Sequence, residues 1–244
     1  MPRRERHRYS LIQRWREPDD PLPVRVIQPT RPYAAPLWHQ QRAELQTVQA
    51  SEPFDFGANM QRLVMDIAVR VPDFRHLKAP RILVTATQSR GETLRGLQAR
   101  VTPLRFPGGT LTRKRRGVPY HIQRYFLGDH EYLYLMTFCL PRFLEQDFDS
   151  KFVTLFHELY HIGPAFDGDL RRHDGRCHMH THSQREYNQS MVQYAREYLE
   201  SKPDPQLHSF LRLDFAQLRQ RHGAVVGIVV PRPKIIPLVA PYVT

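Results

Sequence analysis

Residues 150–163 read SKFVTLFHELYHIG, and this stretch predicts the central helix of the fold. Its apolar residues recur at three- and four-residue steps, which is the period of one face of an α-helix. Ser150, or an aspartate just before it, can cap the start of the helix, and Gly163 followed by Pro164 can end it. We therefore expect an amphipathic helix with one face buried in a core.

The same helix contains the pattern H-E-x-x-H at His157, Glu158 and His161. Residues four apart lie on one face of a helix, so both imidazoles can bind one metal ion. Zinc binds imidazole readily, and three protein ligands with one open position are typical of a catalytic site. The pattern predicts an enzyme that hydrolyses peptide bonds, in which Zn²⁺ activates a water and Glu158 is the general base.

The third zinc ligand is open among several residues. Asp167 lies ten positions after His157, the spacing of the third ligand in metzincins, although Pro164 replaces the glycine of that pattern. His173 follows in a polar loop that contains arginine and aspartate on either side. Both residues remain alternatives.

Three further histidines, His178, His180 and His182, alternate directly before a second predicted helix. In an extended segment, alternate residues point to the same side. The helix is predicted to begin at Ser183, where Glu186 completes a capping box, and to end at about residue 201. We predict His180 as the third ligand, with His182 as the next choice.

The remaining pattern predicts an α+β fold. A helix over residues 56–71 precedes four strands, the third and fourth of which are joined by a hairpin at residues 127–130. We place the strands at 81–87, 97–106, 121–126 and 131–140, a further helix from 207 to about 223, and a short strand at 224–230. The strands are expected to form one small, mostly antiparallel sheet beside the HExxH helix and its flanking helices.

Two stretches together, HELYHI at 157–162 and FDGDLRRHDGRCHMHTHSQREY at 166–187, resemble the SprT-like and phage-type metallopeptidases. The resemblance covers about residues 54–200. It implies a minimal zincin-like fold and a zinc-dependent peptidase with Glu158 as catalytic acid and base. It also implies that one histidine before the last helix of the domain completes the metal site.

Composition predicts the organisation and the compartment. We divide the chain into a basic, proline- and arginine-rich arm over residues 1–50, the metallopeptidase domain over 51–202, and a C-terminal helix with a proline-rich tail over 203–244. The chain has only two cysteines and neither a signal peptide pattern nor an apolar run of about 18 residues. We therefore expect a cytoplasmic protein without disulfides that does not cross a membrane.

The charge indicates a second class of partner besides a protein or peptide substrate. The net charge is +12, six arginines lie within the first sixteen residues, and Arg113 to Arg116 form a basic cluster in a predicted loop. Basic clusters of this kind neutralise phosphates, so they indicate contact with DNA or RNA. The alternative function is therefore a basic nucleic-acid-binding protein with a structural or inactive zinc site.

Overall fold

The described residues form a mixed α and β structure, so the α+β class is confirmed. The computed structural model describes residues 53–89, 96–127, 129–172 and 184–238, with the backbone alone for 184–188 and for the strands at 10–14 and 24–28. Within these ranges there are five α-helices: α1 Phe56–Arg70, α2 Phe148–Tyr160, α3 Gln184–Glu200, α4 Pro205–His208 and α5 Phe215–His222.

The helix bounds agree with the sequence for α1, α2 and α3. The helix expected over residues 207–223 is wrong in one respect, because it is divided into α4, a 3-10 helix at Ser209–Arg212, and α5. Asp214 starts α5 afresh by accepting a hydrogen bond from the Gln217 N–H, while the Gln217 side chain accepts from the Asp214 N–H. This capping box ends any continuous helix through Leu213.

Twelve strands are found in the described residues, and most of them are short. They are β1 Ser10–Arg14, β2 Val24–Gln28, β3 Phe54–Asp55, β4 Ile82–Gln88, β5 Ala99–Pro103, β6 Thr112–Arg115, β7 Val118–Ile122, β8 Arg124–Leu127, β9 His130–Tyr132, β10 Tyr134–Leu140, β11 Val225–Val226 and β12 Ile235–Pro237. Two predicted strands are each divided, one at Gln123 and one at Leu133. The predicted hairpin is confirmed, because β8 pairs antiparallel with β9.

The strands form four small sheets rather than the single sheet expected from the sequence. Their orders are β1-β2-β8-β9, β4-β10-β5, β11-β3 and β12-β7-β6. The central sheet is mixed, since β10 pairs parallel with β4 and antiparallel with β5. Strand β5 therefore lies at one edge of this sheet, where it faces the HExxH helix.

The basic residues 113–116 do not lie in a loop, so that expectation is wrong. Residues up to Arg115 belong to β6, which pairs antiparallel with β7. Arg116 and Gly117 make the turn with φ of 49° and 82°. Positive φ at both central residues is characteristic of a type I′ turn, whose twist matches that of the paired strands.

One hydrophobic core connects α1, α2, α3 and the C-terminal segment. Phe56 contacts Phe138 and Phe143 edge to face, and Leu211 and Leu218 are fully buried in the same core. The parallel pairing of Phe54 with Val225 closes the described fold. None of the helices in the described ranges is long and apolar enough to cross a membrane.

Candidate metal centre

His157 and His161 lie one turn apart at the end of α2, where their rings converge. Asp147 caps the start of α2 by accepting a hydrogen bond from the Ser150 N–H at 2.7 Å. The two Nε2 atoms are 3.0 Å apart. Two nitrogens bound to one tetrahedral zinc, at about 2.0–2.1 Å each, lie about 3.4 Å apart. The pair therefore needs only a small ring adjustment to bind zinc through both Nε2 atoms.

Glu158 contacts the central sheet through one carboxylate oxygen. Its side chain is buried, and Oε2 accepts a hydrogen bond of 2.7 Å from the backbone N–H of Val101 in the edge strand β5. Burial raises the pKa of Glu158 to about 7, although the hydrogen bond from Val101 partly opposes the rise. A carboxylate with a pKa near neutrality can both accept and return a proton, as a general base requires.

The three comparisons, with protein-family models, with curated proteins and with solved structures, give no match.

Asp167, one of the alternatives for the third ligand, is not brought to the histidine pair. Its Oδ1 accepts a hydrogen bond from the Asp169 N–H at 3.0 Å, and its side chain lies against Gly109. Within the residues that the structure describes, no three His, Cys, Asp or Glu side chains form a group that could hold a metal ion. His173, His178, His180 and His182 all lie outside the described residues.

The chain after His161 folds back onto the end of α2. Ile162 forms a β-bridge with Leu170, and the Arg171 N–H donates a hydrogen bond of 2.7 Å to the carbonyl of His161. The Arg171 guanidinium donates to the Tyr160 carbonyl at 2.9 Å and lies 4.1 Å from the centre of the Tyr160 ring. We call residues 173–183 the histidine-rich segment. The residue just before it, Arg172, follows directly after Arg171, which is hydrogen-bonded to His161.

Helix α3, which begins just after residues 173–183, packs along α2. The Tyr198 ring lies 5.7 Å from that of Phe152, and the Tyr194 ring lies 6.2 Å from those of Phe156 and Tyr160. The later residue of α3, Tyr198, thus lies beside the earlier residue of α2, Phe152, so the two helices are antiparallel. The first turn of α3 lies towards the end of α2 that carries His161.

Tyr134 binds the returning loop, residues 162–171, which leads from His161 back to the end of α2. Its buried hydroxyl donates a hydrogen bond of 2.8 Å to the Asp169 carbonyl and accepts one of 2.9 Å from the Gly168 N–H. The Asp169 side chain accepts in turn from the Gly108 N–H at 2.9 Å. The buried strand residue Tyr134 and the exposed turn at Gly108 therefore both position the loop that leads from His161 to Arg171.

The sequence pattern predicts His157, Glu158 and His161 as site residues but does not indicate the residues that contact them or the loop after them. Val101, Tyr134 and Arg171 act through contacts with segments distant in the chain or through backbone atoms, which no local pattern reports. For Arg171 the only available signal was its position within the stretch 166–187 that resembles the metallopeptidases.

Proposed function

We propose that the protein is a zinc-dependent metallopeptidase in which His157, His161 and His180 bind Zn²⁺ and Glu158 is the general base. The observation that carries the proposal is the convergence of two Nε2 atoms, 3.0 Å apart, beside a buried carboxylate whose pKa is about 7. The resemblance of residues 157–187 to SprT-like peptidases supports the same function.

The described elements on either side of residues 173–183 support a third ligand from within that stretch. One end is tied to His161 through Arg171, and the other continues into α3, which packs along α2. A third ligand from residues 173–183 would therefore have on both sides of it in the chain an element that contacts α2. His180 remains our choice, and His182, two residues before the first residue of α3, is the next candidate.

The residues have separable roles in the proposed reaction. A bound zinc ion supplies a Lewis acid that acidifies a water and polarises a peptide carbonyl. Glu158 would hold the proton removed from the attacking water on a carboxylate oxygen and give it to the leaving amine. Among the described strands, β5 pairs with β10 alone, so an extended peptide can add as a further strand at its other edge, where Val101 contacts Glu158.

The test compares the full chain with Glu158→Gln and with Glu200→Gln, an identical change at an exposed position on α3. We measure zinc by elemental analysis and cleavage of labelled casein and other proteins, with and without duplex DNA. The expected result is about one zinc per chain in all three proteins, with cleavage lost at least ~100-fold in Glu158→Gln alone and abolished by EDTA.

Two outcomes count against the proposal. Wild-type protein without zinc, and without a thermal shift when zinc is added, would remove the metal centre. Zinc-loaded wild-type protein that cleaves none of the substrates would favour the alternative, a nucleic-acid-binding protein whose zinc site is structural or inactive.

A further inference from the structure

The hairpin of β6 and β7 exposes four consecutive basic residues, Arg113, Lys114, Arg115 and Arg116. Its strands pair Lys114 with Pro119 and Arg115 with Val118. Every residue from 111 to 118 is exposed. The end of the hairpin, residues 112–118, is therefore an exposed two-stranded ribbon, and the contact of the C-terminal segment with β7 lies just before it, where the Leu238 N–H donates a hydrogen bond of 2.8 Å to the Pro119 carbonyl. We call residues 112–118 the basic ribbon.

The segments that form the β12-β7-β6 sheet contain lysine and arginine but neither aspartate nor glutamate. No aspartate or glutamate occurs from residue 93 to residue 128, which includes β6 and β7, or from 215 to 244, which includes β12. Those two stretches contain eight and four lysines and arginines. Within the described ranges, residues 113–116 form no ion pair. The positive charge of the ribbon is therefore not neutralised by neighbouring carboxylates there.

We propose that the basic ribbon binds the phosphate backbone of duplex DNA without sequence preference. A two-stranded ribbon fits the major groove of B-form DNA, which is about 12 Å wide. Alternate residues of a strand point to opposite faces, so Arg113 and Arg115 lie on one face and Lys114 on the other. Positive charge on both faces can reach phosphates on both sides of the groove.

The composition of the ribbon favours duplex DNA over other nucleic acids. No aromatic residue occurs between 107 and 119, so the ribbon lacks the stacking surface on which proteins hold unpaired bases. The major groove of duplex RNA is too deep and narrow for side chains to enter. Arginine and lysine neutralise phosphates whatever the base sequence, and half to two-thirds of protein–DNA hydrogen bonds go to phosphate and sugar.

The ribbon is connected to the candidate metal centre by one short turn. Residues 107–109 precede β6, and the Gly108 N–H donates to Asp169 in the loop that returns from His161. DNA on the ribbon would therefore be held near the proposed peptidase site. The binding proposal goes beyond that function and does not depend on it, since none of the ribbon residues belongs to the metal centre.

The experiment measures binding of the full chain to labelled duplex DNA of about 20 base pairs, or two helical turns, by fluorescence anisotropy over a salt titration. The ribbon variant carries Arg113→Gln, Lys114→Gln, Arg115→Gln and Arg116→Gln. The matched control carries Arg62→Gln, Arg75→Gln, Lys78→Gln and Arg196→Gln, which removes the same charge from exposed positions elsewhere. All three proteins are compared with and without EDTA, so that the result is independent of zinc.

We expect the ribbon variant to bind at least ~10-fold more weakly, with a slope of log K against log salt that is shallower by about 2 to 4, since each phosphate contact contributes about 0.9. The control should lose less than about twofold. Equal losses in both variants would mean that only net charge matters, and would overturn the proposal. It would also be overturned by ribbon-dependent binding that is stronger to single-stranded DNA, to duplex RNA or to vesicles containing phosphatidylserine than to duplex DNA.

Discussion

Replacing Lys151 with methionine tests how the HExxH helix is anchored. Lys151 lies on α2, is only 2% exposed, and donates hydrogen bonds to the carbonyls of Leu211 at 3.0 Å and Leu213 at 2.8 Å. Burial lowers the pKa of Lys151 from 10.5 to about 8, although nearby carboxylates, Glu145 first among them, partly oppose the change. The ammonium group thus connects α2 to the C-terminal segment, and keeping it charged is costly.

The direction of the pH effect follows from this lowered pKa. Between pH 8 and 10.5 the unfolded chain holds the Lys151 proton more tightly than the folded protein does, so the free energy of unfolding rises with pH. The linkage relation gives a rise of about 2.5 kcal/mol from pH 7 to pH 10 for wild type. Methionine cannot titrate, so Lys151→Met lacks this rise.

At pH 7 the two effects of Lys151→Met nearly cancel. The change relieves about 3 kcal/mol of charge burial but leaves the carbonyls of Leu211 and Leu213 without their donor, at about 1–3 kcal/mol each. We expect the free energy of unfolding of the variant to be within about 2 kcal/mol of that of wild type at pH 7. At pH 10 the difference should have shifted by about 2.5 kcal/mol in favour of wild type.

The free energies of unfolding of wild type and of Lys151→Met are measured at pH 7 and at pH 10 by urea titration in the presence of EDTA. Far-ultraviolet circular dichroism monitors the unfolding. Lys78→Met, at an exposed position, is the control and should show no pH-dependent difference from wild type. If the difference in the free energy of unfolding between wild type and Lys151→Met is the same at pH 7 and pH 10, Lys151 has an ordinary pKa and the reasoning is wrong.

Three further predictions concern the returning loop and the third ligand. Tyr134→Phe removes both hydrogen bonds to the loop and should lower the free energy of unfolding by about 2–4 kcal/mol; equal stability in urea unfolding would show that the hydroxyl is not needed. In Gly163→Ala the new Cβ would lie 2.9 Å from the Asp169 carbonyl oxygen, so we expect a loss of about 1–3 kcal/mol in the same measurement, and a neutral result would contradict the close approach. His180→Ala should weaken zinc binding at least ~10-fold while His173→Ala retains it; loss of zinc only in the variant at 173 would place the third ligand twelve residues after His161.

The elements that were predictable are those with a complete local signal. Helix α2 combines a regular apolar period with Asp147 before it and Gly163 after it, and the structure ends it within a few residues of the prediction. The helix expected over 207–223 carries the same apolar period, yet Asp214 and Gln217 restart it. Periodicity alone does not distinguish one helix from two in succession.

The candidate site was predictable where its chemistry is local. The spacing of His157 and His161 requires only a helix, whereas the contact of Glu158 with Val101 depends on where β5 packs. The mixed central sheet was not predictable either, because the parallel partner of β10 is β4, which lies about fifty residues earlier in the chain. Strand pairings between distant segments leave no signal within either strand.

The pairing of β3 with β11 has a consequence for the order of folding. Phe54 and Val225 are 171 positions apart, so their pairing must wait until almost the entire described chain has been synthesised. Contacts between such distant residues slow folding, because a long loop must close before they stabilise anything. Helices α1 and α2 are complete in the nascent chain long before Val225 leaves the ribosome, and until then α1 lacks part of the core it packs against. A chain released between residues 161 and 225 therefore contains His157 and His161 but cannot close the fold that holds them.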